Sequence, residues 1–468
     1  MHRPTFSSPQ TVSAANSVAE LQTLLMGLNK ENIETTKQKI LSSEFVVSPA
    51  SIDQLTSNIF LAVECRPFKS DHICTLCQEL VGSMESENEN SMKRYLMHSL
   101  SRPPTRHSAH LYLLRQLMYR KCISANDIVF ELNRFLKSHP DRIEDTLSTF
   151  CVFAPEIEKL DKPLFDSILA QFKTMCVGKY VGYLPPELNL FIEQLEALRA
   201  KNWRLLIQRA DFGFNNDPIS VTIMDDDLNR LQEMSKSTYF DVNARIQPSV
   251  FERCMFLWNE PTLLQFAAYH GSVKCFNYLV ELGADFSILA RNNYNVACFA
   301  VAGGCLNIIK ILDDMNVSFE ETMPVAAFMH RHDVFHWVYQ NRCKNGLNYI
   351  LKGLPISSTL HAAAAADNTR LILFCIGKNV DVNIKGATGL SPLHVAVERS
   401  RNDAIKILLA HQRIDINSRD ENEETALHVA AENGRYKQMK LLLEVENIDI
   451  NAREKFVNFN ILEFIFIY

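Results

Sequence analysis

Two cysteines near residue 75 have the spacing that begins many zinc sites. Cys74 and Cys77 form a C-x-x-C pair, with Cys65 and His72 nearby in the sequence. A structural zinc site needs four ligands and usually takes them from two such pairs, and the sequence has no second pair. The i, i+3 spacing in a helical pattern also fits two thiols on one buried helix face. We therefore expect core thiols here, with no metal ion and no cofactor.

Histidine recurs at a regular interval in the second half of the chain. His361, His394 and His428 are separated by 394 − 361 = 33 and 428 − 394 = 34 residues. Rings that far apart on a repeating framework cannot share one ion, because zinc–nitrogen bonds are only about 2.0–2.1 Å long. A structural role, in which each ring bonds the backbone of the neighbouring unit, is the interpretation we favour. His332 and His336 are four residues apart but lack the glutamate of an H-E-x-x-H metal motif.

Residues 91–126 contain Lys93, Arg94, Arg102, Arg106, Arg115, Arg120 and Lys121 and no acidic side chain. Tyrosines are interleaved among them, so an RNA or anion surface at 91–126 is one alternative. A charge run is more often a solvated face, and the acidic stretch 82–91 lies just before it. The net charge of the whole chain is −6. Nucleic acid is therefore not the partner that we expect.

Composition describes an ordinary globular chain. It has 468 residues, of which 47% are hydrophobic and 22% charged, so more than one domain is expected. No run reaches 18 apolar residues and the N-terminus lacks a signal-peptide pattern, so we expect no membrane span. The 12 cysteines are scattered, which favours reduced thiols over disulfides. We expect a cytoplasmic protein, with a nuclear location as the alternative.

The second half of the chain repeats itself. Ser358-Thr-Leu-His-Ala-Ala, Ser391-Pro-Leu-His-Val-Ala and Thr425-Ala-Leu-His-Val-Ala align at spacings of 391 − 358 = 33 and 425 − 391 = 34. Thr262-Leu-Leu-Gln-Phe-Ala and Asn295-Val-Ala-Cys-Phe-Ala precede them in the same frame, and a degenerate unit lies at 321–326. An Asp-hydrophobic-Asn motif recurs in three places, beginning at Asp381, Asp415 and Asp449.

Each position of the repeated motif has a physical task. A serine or threonine such as Ser391 can cap a helix, and Pro392 suits the first helical position because no N–H is needed there. Gly271, Gly304 and Gly434 fall where this helix must end with positive φ. Asp367 and Ser400 occupy that place in two other units, so we expect those turns to be strained or rebuilt.

This pattern resembles the ankyrin repeat, whose period is 33 residues and whose signature is T-P-L-H-x-A. The layout is also similar to a protist group in which a helical N-terminal region precedes an ankyrin-like domain of unknown function. Residues 248–274 and 326–339 carry that second resemblance. The resemblance implies an all-α fold, with a helical N-terminal domain followed by a solenoid of stacked helix pairs.

We predict three segments: a disordered tail at 1–15, a helical domain at 16–215 and an ankyrin-repeat domain at 226–468. The repeat domain should contain six to seven units, of which some are degenerate and the last is truncated. Residues 225–239 should form a capping helix pair before the first consensus unit. A helical apolar pattern runs through the N-terminal half, for example at Ile157, Leu160, Leu164, Ile168 and Phe172. The final stretch, 459–468, is almost wholly apolar and has no polar cap. We expect self-association or fraying there, in a chain truncated from a longer array.

The resemblance implies a scaffold or adaptor that binds another protein through the concave surface of the repeats. The predicted contact residues are polar, lie in the hairpin tips and differ between units: Lys385, Thr388, Asp420, Glu421, Asn422 and Glu424. An enzyme, or an enzyme adaptor with a site in the N-terminal helical domain, is the alternative. No Walker loop, G-x-S-x-G, kinase or Rossmann motif is present, so no catalytic residue is predicted.

Overall fold

The structure, a computed structural model, describes residues 9–84, 92–98, 108–140, 142–177, 186–212, 217–247, 251–291, 293–342, 346–347 and 357–455. These residues form helices and turns, and their only β feature is an isolated bridge between Arg245 and Thr262. The all-α prediction is confirmed. No helix in the described ranges is long and apolar enough to cross a membrane. The chain divides into two units, Leu24–Leu263 and a second made of Met1–Thr23 with Leu264–Tyr468.

The unit Leu24–Leu263 is built from helices that are not arranged in a sequence repeat. They are α2 (Ile33–Leu41), α3 (Pro49–Cys65), α4 (Ser70–Ser83), α5 (Met92–His98), α6 (Ser108–Tyr119), α7 (Ala125–Ser138), α8 (Leu147–Leu160), α9 (Lys162–Val177), α10 (Pro186–Ala200), α11 (Arg204–Phe212), α12 (Pro218–Met224) and α13 (Leu228–Ser235). Part of the core is an aromatic cluster in which Phe150 contacts Phe165, Phe172 and Phe191. Aromatic rings bury large apolar areas, so this cluster holds α8, α9 and α10 together.

The apolar pattern from Ile157 to Phe172 belongs to two helices. Helix α8 ends at Leu160 and α9 begins at Lys162. The Asp161 carboxylate between them accepts the backbone N–H of Leu164 at 3.0 Å, which is the bond of an N-terminal cap. The three- and four-residue spacing continues through the break, so periodicity alone did not reveal it.

A buried arginine joins three helices of the same unit. Arg115 on α6 has no exposed surface, and it donates to Asp211 on α11 at 2.8 Å and to Glu156 on α8 at 3.2 Å. It also donates to the Tyr119 hydroxyl at 2.8 Å. A buried charge is tolerated only when it is paired and hydrogen-bonded, and all three of these partners meet that need.

The second unit contains six successive helix pairs. They are α14 (Leu263–His270) with α15 (Val273–Glu281), α16 (Val296–Gly303) with α17 (Leu306–Asp314), α18 (Thr322–Phe328) with α19 (His332–Asn341), α20 (Thr359–Ala365) with α21 (Thr369–Gly377), α22 (Pro392–Glu398) with α23 (Asn402–Leu409) and α24 (Ala426–Glu432) with α25 (Tyr436–Leu443). From α16 to α24, the first helix of each pair packs on the first helix of the next. Second helices α21, α23 and α25 also pack in order, so the pairs form a stack.

The turns between paired helices have the predicted left-handed backbone. The φ angles of Gly271, Gly304 and Gly434 are 74°, 77° and 60°. Asp367 and Ser400 adopt the same conformation without being glycine, at 52° and 57°. This region is costly for residues with a side chain, so those two turns carry the expected strain.

Small residues let neighbouring first helices approach closely. Gly303 ends α16, and a Cβ atom added to it would lie 2.0 Å from the carbonyl oxygen of Tyr269 on α14. No side chain fits at that distance. Gly303 is therefore fixed by helix packing, whereas Gly304 beside it is fixed by its φ angle.

The prediction of a disordered N-terminal tail up to residue 15 was wrong in its extent. Residues 9–15 are helical, because α1 runs from Pro9 to Met26, whereas a disordered tail was predicted to extend to residue 15. Residues 1–8 lie outside the described ranges. The buried Gln22 of α1 donates from its amide to the Asp367 carbonyl at 2.6 Å and accepts the Thr369 hydroxyl at 3.0 Å. The early helix is ordered by the repeat unit, which its polar, Ser- and Thr-rich composition did not reveal.

A further helix pair precedes Thr262 and starts earlier than the expected capping pair near 225–239. It consists of α12 and α13, and α12 begins at Pro218. The Asp217 carboxylate caps α12 by accepting the N–H groups of Ile219 and Ser220. This pair lacks the Leu-His-x-Ala motif, so its first helix was missed.

Candidate partner-binding surface

Asparagine side chains connect the loops that precede successive first helices. Asn383 donates to the Arg413 carbonyl at 2.7 Å and accepts the Asp415 N–H at 2.9 Å. Asn417, one unit later, repeats both bonds with Asn447 and Asp449 at 2.8 Å. The asparagines of the motifs that begin at Asp381 and Asp415 thus tie each loop to the next, and this keeps the tips in register.

Lys385 belongs to this framework as well as to the surface. Its ammonium group donates to the Ser418 hydroxyl and, at 2.7 Å, to the Arg419 carbonyl. Arg419 in turn donates to the Arg453 carbonyl at 2.7 Å. Burial lowers the pKa of Lys385, whereas the nearby carboxylates of Asp415 and Asp420 raise it. The Lys385 ammonium group is therefore partly engaged in hydrogen bonds within the protein.

Asp420 shapes the tip of the next loop. Its carboxylate accepts the backbone N–H groups of Asn422 and Glu424, both at 2.9 Å. Glu423 between them has a φ of 63°. An aspartate that bonds its own backbone in this way stabilises a tight turn. Asp420 is thus a structural residue of the tip as well as a candidate contact.

The two tips lie side by side. The Thr388 carbonyl accepts the Glu421 N–H at 3.4 Å, and a Cβ atom on Gly389 would lie 2.8 Å from the same nitrogen. We call residues 385–389 and 419–424 the tip surface. Among the predicted contact residues, four are exposed and two, Asp420 and Glu424, are half-buried. The structure brings all six into this surface.

Carboxylates cluster in the second loop of the tip surface and on the helix that follows it. Burial, then the neighbouring charges of Asp420 and Glu454, raise the pKa of Glu424. Burial and the charge of Glu424 also raise the pKa of Glu432, which lies on the first helix α24. Such like charges repel one another, and a nearby cation would reduce this repulsion.

The motif histidines have the predicted structural role at two positions. Nε2 of His361 bonds the Leu390 carbonyl at 2.9 Å, and Nε2 of His394 bonds the Glu424 carbonyl at 3.1 Å. A carbonyl only accepts, so Nε2 carries the proton and Nδ1 is an acceptor. The Ser391 hydroxyl lies 2.7 Å from Nδ1 of His394. Burial lowers the pKa of His394 to about 4, which keeps the ring neutral.

A second set of bonds between repeats was missed by the sequence analysis. Nε of Arg331 donates to the Ala302 carbonyl and Nε of Arg401 to the Ala365 carbonyl, both at 2.8 Å. Arg435 and Asn368 make the equivalent bonds to Glu398 at 3.2 Å and to Ala327 at 2.8 Å. All four donors directly follow the left-handed residue of the turn, at His330, Asp367, Ser400 and Gly434. That fixed position in the repeat is the signal that could have revealed them.

Most of the basic side chains described in segment 91–126 are engaged within the protein. Arg115 is fully buried, Lys93 pairs with Asp127 at 2.9 Å, and Arg120 bonds Thr75 and Gln78. Arg94 and Lys121 are exposed, whereas Arg102 and Arg106 lie outside the described residues. This arrangement gives less support to an anion surface than the bare sequence does.

Cys74 and Cys77 are buried in α4, and burial raises the pKa of both thiols, for Cys74 to about 12. A thiol that keeps its proton is a poor metal ligand. Across the described ranges no group of three or more His, Cys, Asp or Glu side chains is placed to hold a metal ion. The apolar stretch 459–468 lies outside those ranges, so its proposed self-association stays a prediction.

Successive helix pairs, packed first helix on first helix, define a repeat solenoid. Residues 360–454 match the family model described as ankyrin repeats (3 copies), so this part of the chain consists of ankyrin repeats. A crystal structure of the human ASB11 ankyrin repeat domain is similar at 16% identity and a TM-score of 0.36, covering 50% of this chain and 100% of that chain. No curated protein matches the sequence. Ankyrin repeats generally mediate protein–protein interactions.

Proposed function

We propose that this chain is a scaffold or adaptor that binds a basic segment of another protein on the tip surface. The observation that carries the proposal is the contact between the two tips. The Thr388–Glu421 backbone bond and the Lys385–Arg419 bond join loops of two repeats into one surface. A preformed surface loses little conformational entropy when a partner binds, which favours affinity.

The charge of the tip surface supports a basic partner. Glu421 is exposed, and the charge of Glu424 raises the pKa of Glu432. Residues 385–389 and 419–424 contain two cationic side chains and four carboxylates, so the net charge of the tip surface is 2 − 4 = −2. Lysine or arginine side chains of a partner would therefore meet uncompensated carboxylates, which favours complementary association.

Reversal of two of these charges tests the proposal. The full-length protein would be titrated with a fluorescent peptide of alternating lysine and serine, and with a neutral peptide of the same length. We expect the basic peptide to bind, and the variant Glu421→Lys with Glu432→Lys to weaken binding at least about tenfold, or about 1.4 kcal/mol. Added salt should weaken binding further, because surface charges are screened.

A matched control separates the tip surface from general electrostatics. Glu444 and Glu446 are exposed and follow the second helix α25, and Glu444→Lys with Glu446→Lys makes the same change in net charge. Binding should be little affected in this control. Equal weakening in both variants, or no preference for the basic peptide, would contradict the proposed surface. We propose no reaction for this chain, since the tip surface is built for contact.

A further inference from the structure

Two buried aspartates meet at the boundary between neighbouring repeats, away from the tip surface. Asp367 lies in the turn between α20 and α21, and Asp403 lies in the first turn of α23 in the next repeat. Their exposed fractions are only 8% and 6%. Aspartate is almost never buried to this degree unless its charge is compensated. The side chains and backbone groups around these two aspartates must therefore compensate for their burial.

The Asp367 carboxyl reaches across the boundary between these repeats. Its Oδ1 accepts the backbone N–H of Ala404 at 2.6 Å, at the N-terminal end of α23. Asp367 holds this position with a φ of 52°, where three other repeats have Gly271, Gly304 and Gly434. Its carbonyl accepts the amide of Gln22 at 2.6 Å, so the same turn also holds the first helix of the chain.

The charges around Asp367 come from every element of the junction. Arg401 precedes α23, but its Nε is engaged with the Ala365 carbonyl at 2.8 Å. Lys406 lies 3.9 Å from Asp403 and is half exposed. On the side of the preceding repeat, His330 bonds the Ala366 carbonyl and His332 bonds the Asn368 side chain. From the first helix, the neutral Gln22 side chain bonds to this turn.

Burial and the negative charge of Asp403 raise the pKa of Asp367 to about 7. The helix N–H of Ala404 and the charge of Arg401 act in the opposite direction, and their effect is smaller. A neighbouring negative charge in a poorly solvated site disfavours ionisation of a carboxyl, so Asp367 keeps its proton at a pH where a free aspartate is ionised.

We propose that Asp367 and Asp403 form a proton-dependent joint between two ankyrin repeats, which is firm when the Asp367 carboxyl holds a proton and loosens when that carboxyl is ionised. A free aspartate has a pKa of about 3.9, so the folded joint binds its proton more tightly than the opened one. Its stabilising effect is complete below about pH 4 and is lost as the pH rises toward 7. The joint would also transmit this change to the first helix through Gln22.

Amide hydrogen exchange at Ala404 in the full-length protein tests the joint. Wild type and Asp367→Asn would be compared from about pH 5 to about pH 8.5, with exchange rates corrected for intrinsic chemistry. For wild type, the opening constant should rise up to about tenfold per pH unit as far as about pH 7 and then level off. Asparagine keeps an oxygen that can accept the Ala404 N–H but cannot ionise, so its profile should lack this rise.

The decisive quantity is the ratio of the opening constant of wild type to that of Asp367→Asn. All other titratable groups are the same in both proteins, so their contribution cancels in the ratio. A ratio that increases about 100-fold between about pH 5 and about pH 7 supports the joint, and a constant ratio overturns it. Asp403→Asn should move the rise to lower pH, and an unchanged midpoint would also refute the pairing. If asparagine disturbs the fold, Asp367→Gly supplies the reference, because glycine occupies this turn in three other repeats.

Discussion

Replacement of His394 by alanine measures how strongly one ring holds two repeats together. The ring is 1% exposed and links Ser391 of its own repeat to the Glu424 carbonyl of the next. Alanine leaves these buried groups unpaired, which costs about 1–3 kcal/mol. We therefore expect the free energy of unfolding to fall by about 1–3 kcal/mol near neutral pH.

The same substitution should matter less in acid. The pKa of His394 is about 4 in the folded protein, chiefly because the ring is buried. A free histidine has a pKa of about 6.5, so the stability that the neutral ring supplies is present above that pH and is lost as the pH falls toward 4. At about pH 5 wild type has lost about 2 kcal/mol of it, at 1.36 kcal/mol per pKa unit. The difference between wild type and His394→Ala should shrink by that amount.

Urea denaturation followed by circular dichroism gives the free energy of unfolding of wild type and His394→Ala at about pH 7.5 and at about pH 5. His72→Ala is the control, since His72 lies on α4 in the other unit. Amide exchange at residues 391–443 would show whether the loss is local to the stack. An equal penalty at both pH values would refute the neutral, buried ring, and no penalty at neutral pH would refute the bond to the next repeat.

Three further substitutions test separate contacts. Gly303→Ala should lower the free energy of unfolding by about 1–3 kcal/mol in thermal unfolding, because the added Cβ meets the neighbouring backbone. Gly377→Ala has no atom within 4 Å of the added Cβ, so its stability should be unchanged or rise by up to about 1 kcal/mol. Gln22→Ala should accelerate amide exchange in residues 15–22 about tenfold, since a buried bond of about 1.4 kcal/mol is lost. Arg115→Met should cost about 3–5 kcal/mol because two acids lose their partner, whereas the exposed Arg134→Met should cost less than about 1 kcal/mol.

Each of these substitutions has an outcome that would count against its reasoning. Equal stability of the two glycine variants would mean that adjacent helices are not in close contact at Gly303. Unchanged exchange in Gln22→Ala would mean that the first helix does not depend on the 367–369 turn. A mild effect of Arg115→Met, no larger than that of Arg134→Met, would mean that the acids around Arg115 are solvated rather than buried.

The repeat frame could be read from the sequence because each of its signals is local. A capping serine, an alanine that permits close packing and a glycine with positive φ each act within a few residues. Their recurrence at 33 or 34 residues therefore predicted the helix pairs from 263 to 443. Helix α12, the first of the pair α12–α13, was not predicted because it has a capped start without the Leu-His motif.

The candidate contact residues were located by the sequence, but their roles were not. Polar side chains between the Asp-hydrophobic-Asn motif and the next helix had to lie in a tip. Lys385 and Asp420 prove to be partly structural, one through the Arg419 carbonyl and the other through its own turn. Exposed Glu421 carries more of the expected binding, since its side chain faces solvent.

Contacts between distant parts of the chain were decided only by the tertiary structure. Gln22 and Asp367 are 345 residues apart, and Arg115 and Asp211 are 96 apart. Neither pair leaves a periodic pattern, because a single buried hydrogen bond constrains two positions and not their spacing. The sequence by itself therefore determined the repeating units, whose information is local and recurs. Folding decided which helix ordered the N-terminus and which aspartates became buried, because burial depends on what packs from elsewhere in the chain.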